Sequence, residues 1–178
     1  MSARGRRGLL LVAVAACAAL GLAAPLASAG TGGAAASAAA PRCQTANLVI
    51  WLPNGMGSGA AGSVFYKVRL TNLGGKACTV SGFPAVSAVD LNGSPVGKAA
   101  SQEGKKGGAV KLAPGASANF QLRIVEAGNF SPSACHPTMA AGLRVQLAGG
   151  GGAKIVPLPF EACAKATVSV LAVGTLKG

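Results

Sequence analysis

Five side chains in this chain have the chemistry of a general acid or base. They are Asp90, Glu103, Glu126, Glu161 and His136, and the sequence contains no other carboxylate side chain or histidine. A glycosidase would need two carboxyl groups facing one cleft about 5 to 10 Å apart, and nothing in the spacing of these residues suggests such a pair. We therefore expect no enzyme, no catalytic residue and no cofactor.

The sequence also offers few residues for nucleophilic catalysis or for metal binding. Cys135 stands beside His136, but we interpret the cysteine as half of a structural bridge and the histidine as a loop residue. No Gly-x-Ser-x-Gly elbow occurs, and no two cysteines have the close Cys-x-x-Cys spacing typical of a structural zinc site. We expect no bound metal.

Basic side chains offer the one candidate binding surface. Lys67 and Arg69 alternate with apolar residues in one predicted strand, and Arg123 does so in another. If the strands are neighbours, the three cations form a stripe that could attract teichoic-type polymers, anionic lipid headgroups or other envelope polyanions. The alternative is a solvated sheet face whose charges discourage aggregation. Five Phe, one Tyr and one Trp are few for a protein that stacks on bases, so we expect no nucleic-acid partner.

The elements that must position these residues are strands, because the apolar pattern has a period of two. The alternation is clearest at 64–70, 118–124 and 143–147, and Asn-Gly, Pro-Gly and poly-Gly turns separate the segments. Further strands are expected near 46–52, 77–81, 85–91, 95–99, 108–113, 153–159 and 166–173. Many short strands with one apolar face predict an all-β, immunoglobulin-like antiparallel β-sandwich.

The first 29 residues have the three-part design of a secretory signal peptide. Three arginines precede an apolar run, and the small residues 27–29 favour cleavage after Ala29. The alternative is lipidation of Cys17, which follows small residues and would anchor the protein to the membrane. Loss of the three arginines lowers the net charge from +12 by three, to +9.

Composition and alternation divide the rest of the chain into three parts. Residues 30–42 are rich in Ala, Gly and Ser and predict a disordered tether. Residues 43–173 form the predicted β-sandwich domain, and residues 174–178 a short tail. We expect a secreted or cell-envelope location, with lipid anchoring as the alternative.

Hairpin geometry suggests how the four remaining cysteines pair. If 142–148 and 153–159 form a hairpin around the glycine turn, Cys135 and Cys163 meet just beyond its open end. Pairing 46–52 with 63–72 likewise brings Cys43 near Cys78 at the strand ends. Two disulfides suit an exported domain, and each stabilises it by roughly 3 to 4 kcal/mol on the chain-entropy model.

Several segments together resemble a known family. The segments that carry the resemblance are Cys43-Gln-Thr-Ala-Asn-Leu48, Tyr66-Lys-Val-Arg-Leu-Thr-Asn72, Cys78-Thr-Val-Ser-Gly-Phe-Pro84, Leu112-Ala-Pro-Gly115, Ala127-Gly-Asn129, Cys135-His-Pro137 and Val156-Pro-Leu-Pro-Phe-Glu-Ala-Cys163. They resemble the actinobacterial four-cysteine family called domain of unknown function 4232. Phe83 replaces a usual Tyr, and Leu70 a common aromatic. The resemblance implies a secreted or lipid-anchored β-sandwich and no assigned activity.

Three functions follow from these observations. The first is a non-catalytic envelope or extracellular protein whose basic face binds anionic cell-wall polymers or envelope proteins. The second is an envelope hydrolase or an inhibitor of one, which would require at least two of the five acid-base candidates in one concave pocket. The third is a lipid-anchored accessory of a membrane complex, the only case in which we expect membrane association.

Overall fold

A computed structural model describes residues 40–178 of the chain. The strands are β1 Leu48–Trp51, β2 Ser58–Ala60, β3 Ser63–Asn72, β4 Cys78–Ser81, β5 Ala85–Val89, β6 Pro95–Val96, β7 Ser101–Gln102, β8 Ala109–Leu112, β9 Ser117–Val125, β10 Pro137–Gln146, β11 Lys154–Cys163 and β12 Leu171–Val173. One α-helical turn, α1, spans Pro132–Cys135, and 3-10 turns span Thr45–Asn47 and Ala127–Asn129. The predicted signal peptide, its cleavage after Ala29, Cys17 and most of the tether lie outside the described residues.

Two larger sheets and a two-stranded ladder make up the domain. The six-stranded sheet has the order β1-β3-β9-β12-β7, with β2 also paired to β3. The four-stranded sheet has the order β11-β10-β5-β6, and β4 pairs with β8. Alternation buries the even-numbered residues of β3 and β9 from Val68 to Leu70 and from Ala118 to Ile124, while their neighbours face outward.

The two larger sheets share one core. Phe120 and Leu122 of β9 belong to the same buried cluster as Leu143 and Val145 of β10 and Val86 of β5. One apolar face per sheet is thereby removed from water, as in a β-sandwich. The predicted all-β class with two disulfides is confirmed.

Both disulfides join the predicted partners. Cys43 is bonded to Cys78 and Cys135 to Cys163, with Cα–Cα distances of 4.8 and 4.6 Å and sequence separations of 35 and 28 residues. The second closes the open end of the β10–β11 hairpin, where Pro137 lies opposite Cys163. In the first hairpin the register differs from the expected one by about four residues, since Leu48 lies opposite Asn72.

The domain boundaries differ from the predicted ones at both ends. Arg42, placed in the tether, forms a parallel bridge with Thr79, whose backbone N–H donates to the Pro41 carbonyl. Residues 174–178 are not a free tail, because Leu176 is buried and its N–H donates to the Gly82 carbonyl. Short polar and glycine-containing ends give no periodic signal, although their backbones pair.

The sheet is not wholly antiparallel, contrary to prediction. β7 pairs with β12 in parallel, with Ala172 opposite Ser101. The segment 101–102 is exposed and polar and so shows no alternation. The strands predicted at 95–99 and 166–173 are also shorter than expected. They span Pro95–Val96 and Leu171–Val173.

Candidate functional site

The three basic residues predicted to form a stripe lie on one face of the six-stranded sheet. Lys67 and Arg69 alternate with the buried residues of β3, and Arg123 does the same in β9. The two strands pair directly, with Lys67 opposite Gln121, Arg69 opposite Asn119 and Phe65 opposite Arg123. Partners in an antiparallel pair share a face, so the three cations project from the outer side of the sheet.

An open groove of about 760 Å³ runs over this face, and we call it the outer-face groove. Lys67, Gln121 and Arg123 line it from the sheet. Lys105 lines it from the loop after β7, and Lys177 from the C-terminal segment that pairs with β9. Strands and loops distant in sequence thus place four cationic side chains along one concavity.

Only one of these cations is neutralised by a carboxylate within residues 40–178. Arg123 forms an ion pair with Glu103, in which Nη2 donates to Oε1 and Nε donates to Oε2 at 3.4 Å. Within the same described range, no other ion pair occurs, so Lys67, Lys105 and Lys177 have no carboxylate partner. Because these lysines lie at an open surface, the groove presents a net positive field to solutes.

A row of four side chains crosses the outer face perpendicular to the strands. Trp51 lies opposite Arg69, Arg69 opposite Asn119, and Asn119 opposite Lys177. The Arg69 guanidinium lies 5.5 Å from the centre of the Trp51 ring, a cation–π contact. We call this set the cross-strand row; it places an aromatic ring, a guanidinium, an amide and an ammonium on neighbouring strands.

The acid-base candidates are mostly apart from one another. The Asp90 carboxylate accepts hydrogen bonds from the N–H groups of Asn92 and Ser94, at 2.9 and 2.8 Å, and so stabilises its own turn. Glu103 lies at the outer-face groove. His136 is exposed at the end of α1, where its φ of 51° is left-handed.

Glu126 and Glu161 are the exception, because both line a second cavity of about 340 Å³. Tyr66 and Phe160 form part of the same wall. Both glutamates are exposed, and neither carboxylate has a hydrogen-bonding or ion-pair partner among residues 40–178. This pair meets the requirement for a hydrolase, two acid-base candidates in one concavity.

Neither a metal centre nor a membrane span is found in the part of the chain that the structure describes. Over residues 40–178, no three His, Cys, Asp or Glu side chains converge in a way that could hold a metal ion. Among the helices in that range, none is long and apolar enough to cross a membrane.

Sequence reasoning missed two of the four cations that line the groove. Lys105 lies in the loop after β7 and Lys177 in the segment predicted as a short tail, yet both line the groove. Trp51, which was not among the predicted surface residues, is 38% exposed on the outer face. The alternation of Val49 and Trp51 with Leu48 and Ile50 was the available signal, since it places the indole opposite the core.

Comparison with known proteins identifies a family but no activity. A family model described as a domain of unknown function (DUF4232) matches residues 43–177. No curated protein matches the chain. No solved structure matches it either.

Proposed function

Because the chain belongs to the DUF4232 family, whose name assigns no activity, we propose a function from its surface chemistry: an exported, non-catalytic protein that binds anionic polymers of the cell envelope. The observation that supports it is the outer-face groove, which Lys67, Lys105 and Lys177 line without a carboxylate partner in the described residues. The two disulfides suit an oxidising, extracytoplasmic space. The family resemblance suggests that this is an actinobacterial envelope.

Electrostatics favour a polymer over a single small anion. The unpaired cations come from β3, from the loop after β7 and from the C-terminal segment, so they are spread along the groove. A chain with repeated charges contacts several of them at once and releases the counterions that each had held. Binding of this kind weakens steeply as salt concentration rises.

Co-sedimentation with purified cell wall tests this function. The variant K67Q/K105Q/K177Q is compared with K76Q/K98Q/K165Q, which removes the same charge from exposed lysines outside the groove. Between about 50 and about 500 mM salt, the unaltered protein is expected to dissociate progressively, with a log–log slope about 2 to 3 units steeper than that of the groove variant. The control variant should keep most of the slope. Absence of binding at every salt concentration, or equal losses in both variants, would refute the proposal.

A second candidate, an envelope hydrolase, rests on the cavity shared by Glu126 and Glu161. Two carboxylates in one concavity are the minimum for glycoside hydrolysis, although this pair is exposed and has no histidine beside it. Clearing of a cell-wall suspension by the protein, abolished in both E126Q and E161Q but retained in E103Q, would establish this activity. No clearing by the unaltered protein would exclude it for that substrate.

A further inference from the structure

The outer-face groove carries more than positive charge. Phe65 projects into it from β3, and the neutral amides Asn119 and Gln121 lie between the cationic side chains. Trp51 extends the same surface by one strand beyond Arg69. A face that served only as a solvated surface, or only to attract charge, would have no need of aromatic rings at these positions.

The two amides are open to a ligand. Within residues 40–178, no hydrogen bond engages the side-chain amide of Asn119 or of Gln121, whereas the buried amide of Asn72 uses both its N–H donors and its oxygen. A side-chain amide offers donors and an acceptor together. Phosphate or carboxylate oxygens use the donors alone, while a sugar hydroxyl, itself donor and acceptor, uses both.

Aromatic rings on the same surface can bind the apolar face of a sugar, as the amides can bind its hydroxyl groups. The C–H groups on one face of a pyranose ring form an apolar patch that packs against Phe, Tyr or Trp, and Trp51 and Phe65 supply such rings at two points of the surface. The Arg69 contact restrains the Trp51 ring before any ligand arrives, which reduces the entropy lost on binding.

The spacing of the cross-strand row suits a repeating chain. Neighbouring strands lie about 4.8 Å apart, so Trp51, Arg69, Asn119 and Lys177 span roughly 14 Å in three steps. One step is similar to the length of one sugar residue in a polysaccharide. Successive residues of such a chain would therefore meet a ring, a cation, an amide and a second cation.

We propose that the ligand of this surface is an acidic polysaccharide, bound through its sugar rings by Trp51, Phe65 and the free amides and through its charges by the groove lysines. This proposal rests on the proposed function, since it specifies the class of polymer. A surface of this kind differs from one that binds polyanions through their charge alone.

Affinity measurements with two polyanions test the inference. Polygalacturonate has charged sugar rings, and polyphosphate of matched charge has none. The variant W51A/N119A is expected to bind polygalacturonate about fivefold more weakly or worse and polyphosphate less than about twofold more weakly. L91A removes an exposed apolar side chain outside the groove and should change neither affinity. W51F retains a ring and should restore most of the lost affinity when it replaces W51A.

Each outcome has a distinct meaning. Circular dichroism must first show that W51A/N119A keeps its fold. If this variant then loses affinity for neither polyanion, or for both equally, the surface binds through charge alone. In that case the inference is overturned while the proposed function stands. Ring-dependent binding of an oligo-dT strand in preference to polygalacturonate would also overturn it, in favour of a base-stacking ligand. If neither polyanion binds and cell wall does not bind either, the proposed function fails as well.

Discussion

At the scale of single residues, the buried side-chain amide of Asn72 stabilises the structure around it through hydrogen bonds to the backbone. It is 1% exposed, and its Nδ2 donates to the carbonyls of Lys76 and Leu112 at 3.0 and 3.1 Å. Its Oδ1 accepts from the N–H of Gly74 at 2.9 Å. One buried amide thereby pairs with three backbone groups, two in the loop between β3 and β4 and one at the end of β8.

We expect Asn72→Ala to destabilise the domain by about 3 kcal/mol, because buried donors and acceptors lose their partner. That corresponds to a fall in the melting temperature of roughly 10 °C for a domain of this size. Asn47→Ala, which removes an exposed amide nearby, should shift it by no more than a degree or two. Differential scanning calorimetry of both variants measures the difference, and similar melting temperatures would show that the Asn72 network contributes little.

Glu103 differs from Asn72 because its side chain is exposed. Its ion pair with Arg123 lies at the surface, where the Glu103 side chain is 45% exposed and that of Arg123 31% exposed. We expect Glu103→Gln to change the free energy of unfolding by less than about 1 kcal/mol, since exposed pairs contribute little. The substitution should nevertheless strengthen polyanion binding, because Arg123 is released into the groove. Glu161→Gln adds the same net charge elsewhere and is the control in a salt-series binding assay. Equal gains in the two variants would mean that net charge, and not the groove, governs binding.

At the scale of elements, glycines decide how closely the strands and loops approach. Gly97, just after β6, has a φ of +66°, and a Cβ there would overlap the carbonyl oxygen of Cys163. The loop after β6 thus packs against the end of β11, next to the Cys135–Cys163 disulfide.

Substituting this glycine separates the cost of backbone strain from the cost of collision. Gly97→Ala should destabilise the domain by about 3 kcal/mol, the sum of left-handed strain and overpacking. Gly115→Ala shares the positive φ, +80°, but has no atom within 4 Å of its added Cβ, so about 1 kcal/mol is expected. Urea unfolding of the two variants gives both values. Equal losses would show that the contact with Cys163 relaxes without cost.

The sequence predicted those elements whose alternation is long, and it failed where the pattern is short. β3, β9 and the β10–β11 hairpin each combine alternating burial with a clear turn, and both disulfides followed from that geometry. β7 has only two exposed polar residues and pairs in parallel through backbone groups, so no side-chain pattern could reveal it. The C-terminal segment joins β9 through the backbone groups of Gly174 and Lys177, so it too shows no side-chain pattern in the sequence.

The candidate site was predictable to the extent that it lies on regular strands. Lys67, Arg69 and Arg123 follow from alternation plus the adjacency of β3 and β9. Lys105 and Lys177 depend on where a loop and a chain end return to the sheet, which is a property of tertiary contacts and not of local periodicity. The pairing of Glu126 with Glu161 in one cavity has the same origin.

At the scale of the whole molecule, the intact mass and the N-terminus report the disulfides and the predicted signal cleavage. We expect a mature N-terminus at Gly30 and an intact mass lower than that of the reduced chain by four hydrogens, because two disulfides are present. Mass spectrometry and N-terminal sequencing of the protein recovered from the producing cells test both. A diacylated N-terminal Cys17 would instead establish the lipid-anchored form.

The position of the Cys43–Cys78 disulfide determines how the domain carries mechanical load. The chain enters the fold at Arg42 and is covalently joined to the start of β4 one residue later. Tension applied through the preceding residues therefore passes into β4 through a covalent bond, and it does not peel β1 away from β3 one hydrogen bond at a time. The two cysteines are 35 residues apart in sequence, and the chain between them cannot be extended until that bond is reduced. A domain pulled by its N-terminal end would thus yield first elsewhere, and its β1–β3 side, which carries Trp51 and Arg69, would remain assembled under force.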